Sequence, residues 1–186
     1  MPPKVKVTSE DIVNASVELV RKEGVNALNA RGLAEFLNCS TQPIFSNFKS
    51  MEEVKEAVLE RAISLCKDYT AREVENGLYP IYKASGMAYI RFAKEECELF
   101  KLLFMRDRKG ELVDKEAGFF DQMEAVVQKN VGLESDKARL FHLEMWAYVH
   151  GIAVMFATGY LNLDWELVSK MLTDSYLGLK KQYEME

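Results

Sequence analysis

The spacing of apolar residues along the chain predicts helices almost throughout. Thr8 and Asp11 stand three residues apart in the pattern of a capping box, in which each side chain satisfies a backbone N–H of the first turn. Apolar residues then recur at helical spacing until Gly24, so we expect a first helix over residues 9–23. The period-two alternation typical of strands is absent from the sequence. The pattern therefore favours an all-α fold.

Two short helices are predicted next. Asn29 is placed to cap the first, and Asn38 can end it because asparagine tolerates the left-handed turn conformation. Ser40 is placed to cap the second, over about 41–47, with Pro43 in the first turn, where a missing N–H costs little. A tight turn is therefore expected between two short helices.

Longer helices follow. Ser50 and Glu53 form a second capping box, which starts a helix that runs to about Tyr69 and joins two parts of the molecule. Further helices are expected from Pro80, over about 96–105, 115–131 and 136–158, and after Asp164. The last one carries a single apolar stripe: Trp165, Val168, Leu172, Tyr176, Leu179 and Tyr183. We expect this stripe, with the apolar helix before it, to form a dimer interface.

Charge is distributed unevenly over the 186 residues. The whole chain has 24 basic and 29 acidic side chains, a net charge of -5, which taken alone would argue against a nucleic-acid partner. Residues 1–50, however, hold six basic and five acidic side chains, a net of +1, so all the net acidity lies in the remainder. Such asymmetry predicts two regions with different roles.

Several classes of protein are disfavoured. Cys39, Cys66 and Cys97 are odd in number and lack paired short spacing, which argues against a disulfide framework or a zinc site and favours a reduced cytosol. Cys39 has no basic neighbour, so we expect a small buried residue rather than a thiol sensor. The N-terminus has no secretory h-region, and the apolar run 145–161 is shorter than the roughly 20 residues of a membrane span. We expect a cytoplasmic protein with no membrane, metal or cofactor partner.

Enzyme motifs are also missing. The sequence contains no glycine-rich phosphate loop, no nucleophile elbow, and no histidine and carboxylate pair at ligand spacing. We therefore expect a protein that is not an enzyme.

Three short helices within the first 50 residues have the layout of a helix-turn-helix module, whose second helix enters the major groove of DNA. The groove-facing helix would be Thr41 to Asn47. It offers the polar side chains of Thr41, Gln42, Ser46 and Asn47, backed by Ile44, Phe45 and Phe48. The Gln42 amide is suited to bidentate pairing with adenine.

Residues 12–58 contain Gly24 at the end of the first helix, Leu33 and Ala34 in the second, and then Ser40, Ile44, Phe48 and Ser50. In these positions the stretch resembles the DNA-binding domain of TetR-type transcriptional regulators. The sequence departs from the family at Asn38 (usually Gly), Thr41 (often Lys), Phe45 (usually Tyr) and Asn47 (usually His or Tyr). In the stretch MWAYVHGI, moreover, Trp146, His150 and Gly151 resemble the Trp-x-x-x-His-Gly element of the family's C-terminal domain.

The resemblance implies which residues meet DNA and which meet an effector. DNA contacts are expected from Arg31, Ser40, Thr41, Gln42, Phe45, Ser46, Asn47 and Lys49, with Lys4 and Lys6 as further phosphate ligands. Aromatic and Met side chains in the rest of the chain are first of all core, but some would line an apolar pocket. The candidates are Tyr89, Phe92, Phe104, Phe120, Met123, Trp146 and His150. His150 can equally be a hydrogen-bonded core histidine.

Together these patterns predict a DNA-binding helix-turn-helix domain over 1–50 and a helical effector-binding and dimerisation domain over 51–186. The expected function is that of a dimeric transcriptional regulator, a repressor that a small apolar effector releases from a palindromic double-stranded DNA operator. The alternative is an all-α dimeric interaction protein that no longer binds DNA tightly, because the third helix contains no Lys or Arg. Selection of sites from random DNA separates the two.

Overall fold

The computed structural model describes residues 7–106 and 114–185, with the side chains of residues 114–122 outside the description. The described residues form nine helices, a single 3-10 turn at Val25–Ala27 and no strand, which confirms the all-α prediction. The helices are α1 Ser9–Glu23, α2 Ala30–Phe36, α3 Gln42–Asn47, α4 Met51–Glu75, α5 Ile81–Glu95, α6 Cys97–Phe104, α7 Asp114–Val131, α8 Ser135–Ala157 and α9 Trp165–Glu184.

Polar side chains set the helix starts where the sequence places them. The Thr8 hydroxyl accepts a hydrogen bond from the Asp11 N–H at 3.1 Å, and the Asp11 carboxylate accepts one from the Thr8 N–H at 2.9 Å. This reciprocal pair is the predicted capping box. The Asp164 carboxylate likewise accepts from the Leu167 N–H at 2.8 Å and begins α9. The starts of α1 and α9 are thus fixed by hydrogen bonds within their own first turns.

Packing divides the chain into two compact units. The head unit comprises the residues up to Lys67 together with Glu96–Arg106, and the body unit comprises Asp68–Glu95 and the residues from Asp107 onward. Helix α4 therefore begins in the head unit and ends in the body unit. The predicted boundary at residue 50 separates a DNA-binding from an effector-binding domain, and it stays a prediction. By packing, the first part of α4 and all of α6 belong with the helix-turn-helix region.

A fully buried apolar core holds the head unit together. Ile12 and Val20 of α1, Leu33 of α2, Ile44 of α3 and Val54 of α4 are all without solvent exposure. Burying a side chain of this size stabilises a fold by about 1.5–3 kcal/mol. The core therefore fixes the short helices α2 and α3, which are too short to be stable alone.

An ion pair joins α1 to α6 within the head unit. The Arg21 guanidinium donates to both carboxylate oxygens of Glu96, with Nε–Oε2 at 2.8 Å and Nη2–Oε1 at 2.7 Å, and it also donates to Glu18. The side chain of Glu96 is only 13% exposed. These contacts raise the pKa of Arg21, with Glu96 as the main cause. The pair explains in part why α6 packs with α1 rather than with the body unit.

The body unit is built around α5, α8 and α9. At Gly86 of α5, an added Cβ would lie 3.4 Å from Leu172 and 3.5 Å from Val149, so this helix contacts both of its neighbours closely. A second core lies between α7, α8 and α9: Val127, Ala138, Phe141, Met145 and Tyr183. The three helices are therefore packed through their own apolar faces.

Candidate nucleic-acid interface

The cap of α2 fixes its start in the head unit. The Asn29 carboxamide oxygen accepts hydrogen bonds from the N–H groups of Arg31 and Gly32, at 3.1 and 3.0 Å. A Cβ on Gly32 would lie 2.6 Å from the carbonyl oxygen of Ala27. Only glycine fits such a close approach, since real Cβ atoms do not come this near a backbone oxygen. The cap and the glycine together confirm the predicted helix start at Asn29.

The turn between α2 and α3 is a Schellman motif. Asn38 has the left-handed φ of 50° that the sequence predicts, and its N–H donates to the Glu35 carbonyl at 3.0 Å. The Cys39 N–H donates to the Ala34 carbonyl at 2.9 Å, which completes the pattern. The Cys39 side chain is half-buried, and its thiol donates to the Ser40 carbonyl at 3.2 Å. The turn thus fixes where α3 begins.

Helix α3 starts one residue later than its predicted cap implies. Thr41, not Ser40, is the capping residue, and its side chain makes no cap hydrogen bond because its backbone is already in the helical region at φ -71° and ψ -13°. The prediction that Ser40 caps this helix is therefore wrong. Pro43 stands in the first turn as predicted. The N–H groups at this helix end are left to other partners.

The side chains of α3 divide into one buried anchor and several exposed groups. Ile44 has no solvent exposure, whereas Phe45 is 48% exposed. The expectation that Phe45 backs the helix is therefore wrong, because its position on the helix points the ring away from the core. Gln42 is exposed and makes no side-chain hydrogen bond within the described residues. Gln42 and Phe45 are thus both accessible on the α3 surface.

Two other predicted contact residues are engaged with the backbone of their own chain. The Ser46 hydroxyl donates to the Gln42 carbonyl at 2.8 Å. The Asn47 amide donates to the carbonyls of Pro43 at 2.8 Å and Val7 at 3.2 Å. Asn47 thereby holds the start of the described chain beside α3. The structure gives both residues a local role that the sequence does not reveal.

The two described cations that are predicted to contact DNA lie outside α3: Arg31 is on α2, and Lys49 follows the end of α3 by two residues. Arg31 and Lys49 are exposed, and neither forms an ion pair within residues 7–106 and 114–185. The Lys49 N–H donates to the Glu53 carboxylate at 2.6 Å, and the Glu53 N–H donates to the Ser50 hydroxyl at 3.3 Å. In the predicted capping box the Glu53 carboxylate would accept from the Ser50 N–H. Here it accepts from the N–H of the preceding residue, Lys49. Lys4 and Lys6 lie outside the described residues.

Part of the predicted effector pocket forms a cluster in the body unit. The Tyr89 hydroxyl is 2.9 Å from His150 Nδ1, and the Trp146 ring stacks on His150 with centroids 4.9 Å apart at 14°. All three side chains are half-buried. Burial lowers the pKa of His150, which favours the neutral imidazole. This trio is called the Tyr-His-Trp cluster below.

Of the other four pocket candidates, the three whose side chains are described are not part of this cluster. Phe92 and Met123 are buried side chains of the body unit, and Phe92 packs edge-on against Tyr69 at 5.4 Å. Phe104 belongs to the head unit, where it lies 5.0 Å from Phe100. The side chain of Phe120 lies outside the described residues. Of the six candidates whose side chains are described, the structure thus brings three together.

Comparison with known proteins assigns the chain to a family. Residues 82–174, half of the chain, match the profile described as "Tetracyclin repressor-like, C-terminal domain". The chain belongs to the TetR family of transcriptional regulators. It is also similar to the "uncharacterized HTH-type transcriptional regulator YobS" of Bacillus subtilis (strain 168), with 24% identity over 164 residues that cover 84% of this chain and 83% of YobS. The resemblance predicted from the N-terminal residues is confirmed.

In this TetR-family chain the predicted dimer stripe of α9 packs inward. Val168 has no exposure and Leu172 only 3%. Tyr176 packs on the core of the body unit and contacts Phe141 edge-on at 5.4 Å, and Trp165 stacks on Phe156 at 5.7 Å. The stripe is therefore occupied within its own chain, which corrects the expectation that it faces a partner. Its periodicity is that of a core-facing helix.

The TetR body unit instead exposes an apolar face on α8. Leu140 and Leu143 are each 50% exposed, and Ala147, Gly151 and Val154 follow them at spacings of three or four residues. An added Cβ on Gly151 would meet nothing within 4 Å, so this part of the helix borders open space. We call these five residues the α8 outer face. The sequence signal for it is that α8 is apolar all round.

Helix α8 is long and apolar enough to cross a membrane by length and composition. Its 23 residues extend the predicted apolar run toward the N-terminus, and 44% of its most apolar window is buried inside the chain. A core helix of a TetR body unit meets the same criterion. Within the described residues, no group of three or more His, Cys, Asp or Glu side chains could hold a metal ion.

A second Tyr-His pair was missed by sequence reasoning. The Tyr82 hydroxyl is 2.9 Å from His142 Nδ1, and burial lowers the pKa of His142 and raises that of Tyr82. The two pairs repeat because Tyr82 and Tyr89 are two turns apart on α5, as His142 and His150 are on α8. The eight-residue spacing of the histidines, visible in the sequence, is the signal that would have found it.

Proposed function

We propose that this TetR-family regulator acts as a dimeric, ligand-responsive repressor that binds a near-palindromic operator through α3. The observation that carries the proposal is the geometry of the head unit. A capped α2 and a Schellman turn present a short α3 whose accessible side chains include an amide donor and acceptor. This is the arrangement by which a helix-turn-helix module reads base edges in the major groove.

Gln42 is the proposed base-reading residue. Its exposed amide has no partner within the described residues, so pairing with adenine would not break an existing hydrogen bond. Phe45 is proposed to contact the sugar or a thymine methyl group, because its ring is 48% exposed beside Gln42. Ser40 and Thr41 lie at the start of α3, where backbone N–H groups can meet a phosphate together with these hydroxyls.

Arg31 and Lys49 are the proposed phosphate ligands of the described chain. Their charges are not committed to a carboxylate, so they can replace counterions on DNA. Lys4 and Lys6 precede Val7, which Asn47 holds beside α3, and we propose that they add to this set. With so few cations per head, we expect DNA affinity that depends on the dimer and is weak at high salt.

The dimer is proposed to form through the α8 outer face, not through the α9 stripe. Leu140 and Leu143 would be buried there by a second copy, and Ala147 and Gly151 allow close approach of the two helices. A two-fold axis through this face would make the contact self-complementary. Two heads related by that axis would reach successive major grooves.

Effector control is proposed to act through the body unit and α4. The Tyr-His-Trp cluster supplies half-buried aromatic rings and hydrogen-bonding atoms, which suit a small apolar molecule with one polar group. Helix α4 is continuous from the head unit into the body unit. A ligand that binds one arrangement of the body unit more tightly than another would change DNA affinity by no more than the ratio of its two affinities. Like other members of a regulatory family, the protein is proposed to work in the cytoplasm and without catalysis.

One observation favours a second candidate function. Helix α3 carries no basic residue, so the chain could be a dimeric interaction protein whose helix-turn-helix no longer binds DNA tightly. Selection of binding sites from a random duplex pool with purified protein separates the two. The proposal expects enrichment of a near-palindrome at low salt, and a Gln42→Ala protein that loses preference at one base pair of each half-site. A pool without sequence enrichment after repeated rounds would favour the interaction protein.

A further inference from the structure

A surface groove lies in the body unit, between the start of α5 and the first three turns of α9. Its volume is about 390 Å³, which is within the range of small-molecule sites. Tyr79 and Trp165 give it aromatic walls, and Lys83, Ser169 and Thr173 give it polar groups. None of these residues belongs to the Tyr-His-Trp cluster, the α8 outer face or the head unit.

Lys83 is the central polar group of this groove. Its ammonium donates to the Thr173 hydroxyl at 2.8 Å and lies 4.7 Å from the centre of the Tyr79 ring. The Thr173 hydroxyl in turn donates to the Ser169 carbonyl at 3.0 Å, so its lone pair is directed at Lys83. Within the described residues, Lys83 has no ion pair. A hydroxyl and a ring face orient this charge but do not neutralise it.

Partial burial also affects the Lys83 ammonium. It lowers the pKa of Lys83, because an ammonium that has lost part of its water is less stable in the charged form. A bound anion would compensate for this loss by a charge-assisted hydrogen bond.

The neighbouring charges favour an anion over a cation. The Trp165 ring has Arg91 at 4.5 Å and Lys94 at 5.1 Å, so a cationic ligand beside this ring would meet two charges of its own sign. Asp174, which also lines the groove, is paired with Lys170 at 2.5 Å. Glu166 is the one lining carboxylate without an ion pair in the described part of the chain, and it is exposed.

We propose that this groove binds a small aromatic carboxylate, with the carboxylate on Lys83 and the ring lying in the groove that Tyr79 and Trp165 line. The Ser169 hydroxyl would add a hydrogen bond to the anion, while the Thr173 hydroxyl holds the Lys83 ammonium in place. This site is separate from the effector region of the proposed function and does not depend on DNA binding. Failure of either proposal therefore leaves the other intact.

The two tryptophans of the chain make a direct test possible. In a Trp146→Phe protein, Trp165 is the only tryptophan and reports on the groove. The probe is 4-nitrobenzoate, whose nitroaromatic ring quenches tryptophan, and 4-nitrobenzamide is its uncharged counterpart. Lifetime measurements remove collisional quenching from the titration. We expect saturable static quenching with the carboxylate, and none in the reciprocal Trp165→Phe protein.

Charge variants in the Trp146→Phe background identify the binding group. Lys83→Met should weaken carboxylate binding about tenfold, because one hydrogen bond to a charged group is lost. Lys83→Arg should retain it, and Lys180→Met, on α9 but outside the groove, should change it little. The amide should bind weakly in every variant. Absence of saturable quenching, equal affinity in Lys83→Met, or equal affinity for the amide would each overturn the proposal.

Discussion

The ion pair between Arg21 and Glu96 gives the sharpest energetic prediction of the structure. It joins α1, which packs against α2 and α3, to α6, which the sequence alone does not place in the head unit. We propose to replace each residue by Met, singly and together, because Met keeps the apolar stem and removes the charge. The double-mutant cycle then isolates the energy of the pair from other effects of the substitutions.

The geometry sets the expected magnitude. Exposed ion pairs contribute about 0–1 kcal/mol, whereas hydrogen bonds to charged groups contribute about 1.5–3 kcal/mol each. Here the two bonds are bidentate and Glu96 is 13% exposed, but Arg21 is 31% exposed and is shared with Glu18. We therefore expect a coupling free energy of about 1–3 kcal/mol, between these limits.

The assay is urea unfolding followed by circular dichroism at a fixed protomer concentration, since dimerisation would otherwise shift the midpoint. The pair Lys170 and Asp174 is the matched control, because it is equally close but 70% and 60% exposed. Its coupling should be about 0.5 kcal/mol or less. A coupling at Arg21 and Glu96 no larger than that of the control would refute the argument that α6 is held to α1 by this contact.

Three further predictions concern assembly, DNA reading and pH. Leu143→Glu should yield monomers in sedimentation velocity and Leu78→Glu, an equally apolar exposed site, should not; a persisting dimer would exclude the α8 outer face. Gln42→Ala should cost about 1–3 kcal/mol of discrimination at one base pair, measured by anisotropy with single-base operator variants, and unchanged discrimination would remove Gln42 from base reading. Because burial lowers the pKa values of His142 and His150 from 6.5, the unfolded chain binds more protons below that pH, so the free energy of unfolding should fall as the pH decreases from 7 to about 5. The fall should be smaller in the double His→Gln protein, and an equal fall would assign it to other groups.

Local chemistry explains why most helix boundaries could be predicted. The capping pair of Thr8 and Asp11, the cap at Asn29 and the left-handed turn at Asn38 each depend on residues within four positions of one another. Such signals are complete in the sequence because no distant contact is needed to form them. The cap at Ser40 failed since the backbone of Thr41 already adopts the helical conformation, which leaves Ser40 outside the cap position.

Side-chain placement was harder to predict because it depends on distant residues. The stripe on α9 has the same periodicity whether it faces its own core or a partner, and only the contacts of Leu172 and Tyr176 with other helices decide between them. The exposure of Phe45 could not be read from its apolar character for the same reason. The ion pair of Arg21 and Glu96 spans 75 positions, which no local pattern encodes.

The sequence predicted the type of candidate site but not the contacts of its individual side chains. The helix-turn-helix followed from the sequence, whereas the backbone hydrogen bonds of Ser46 and Asn47 did not, and the role of Gln42 stays a prediction. In the body unit, three of the seven predicted pocket residues form the Tyr-His-Trp cluster, and its role in binding an effector stays a prediction. It gave no indication that Lys83 lies in a groove, because that groove is formed by residues about 90 positions apart.

The central claim is that two heads of one dimer read successive major grooves of a single site. Hydroxyl-radical footprinting on the enriched duplex tests it most directly. The account predicts two protected regions related by a dyad, with centres about 34 Å, or one helical turn, apart along one face of the DNA. A single protected region without dyad symmetry, with one protomer per duplex by sedimentation, would contradict it.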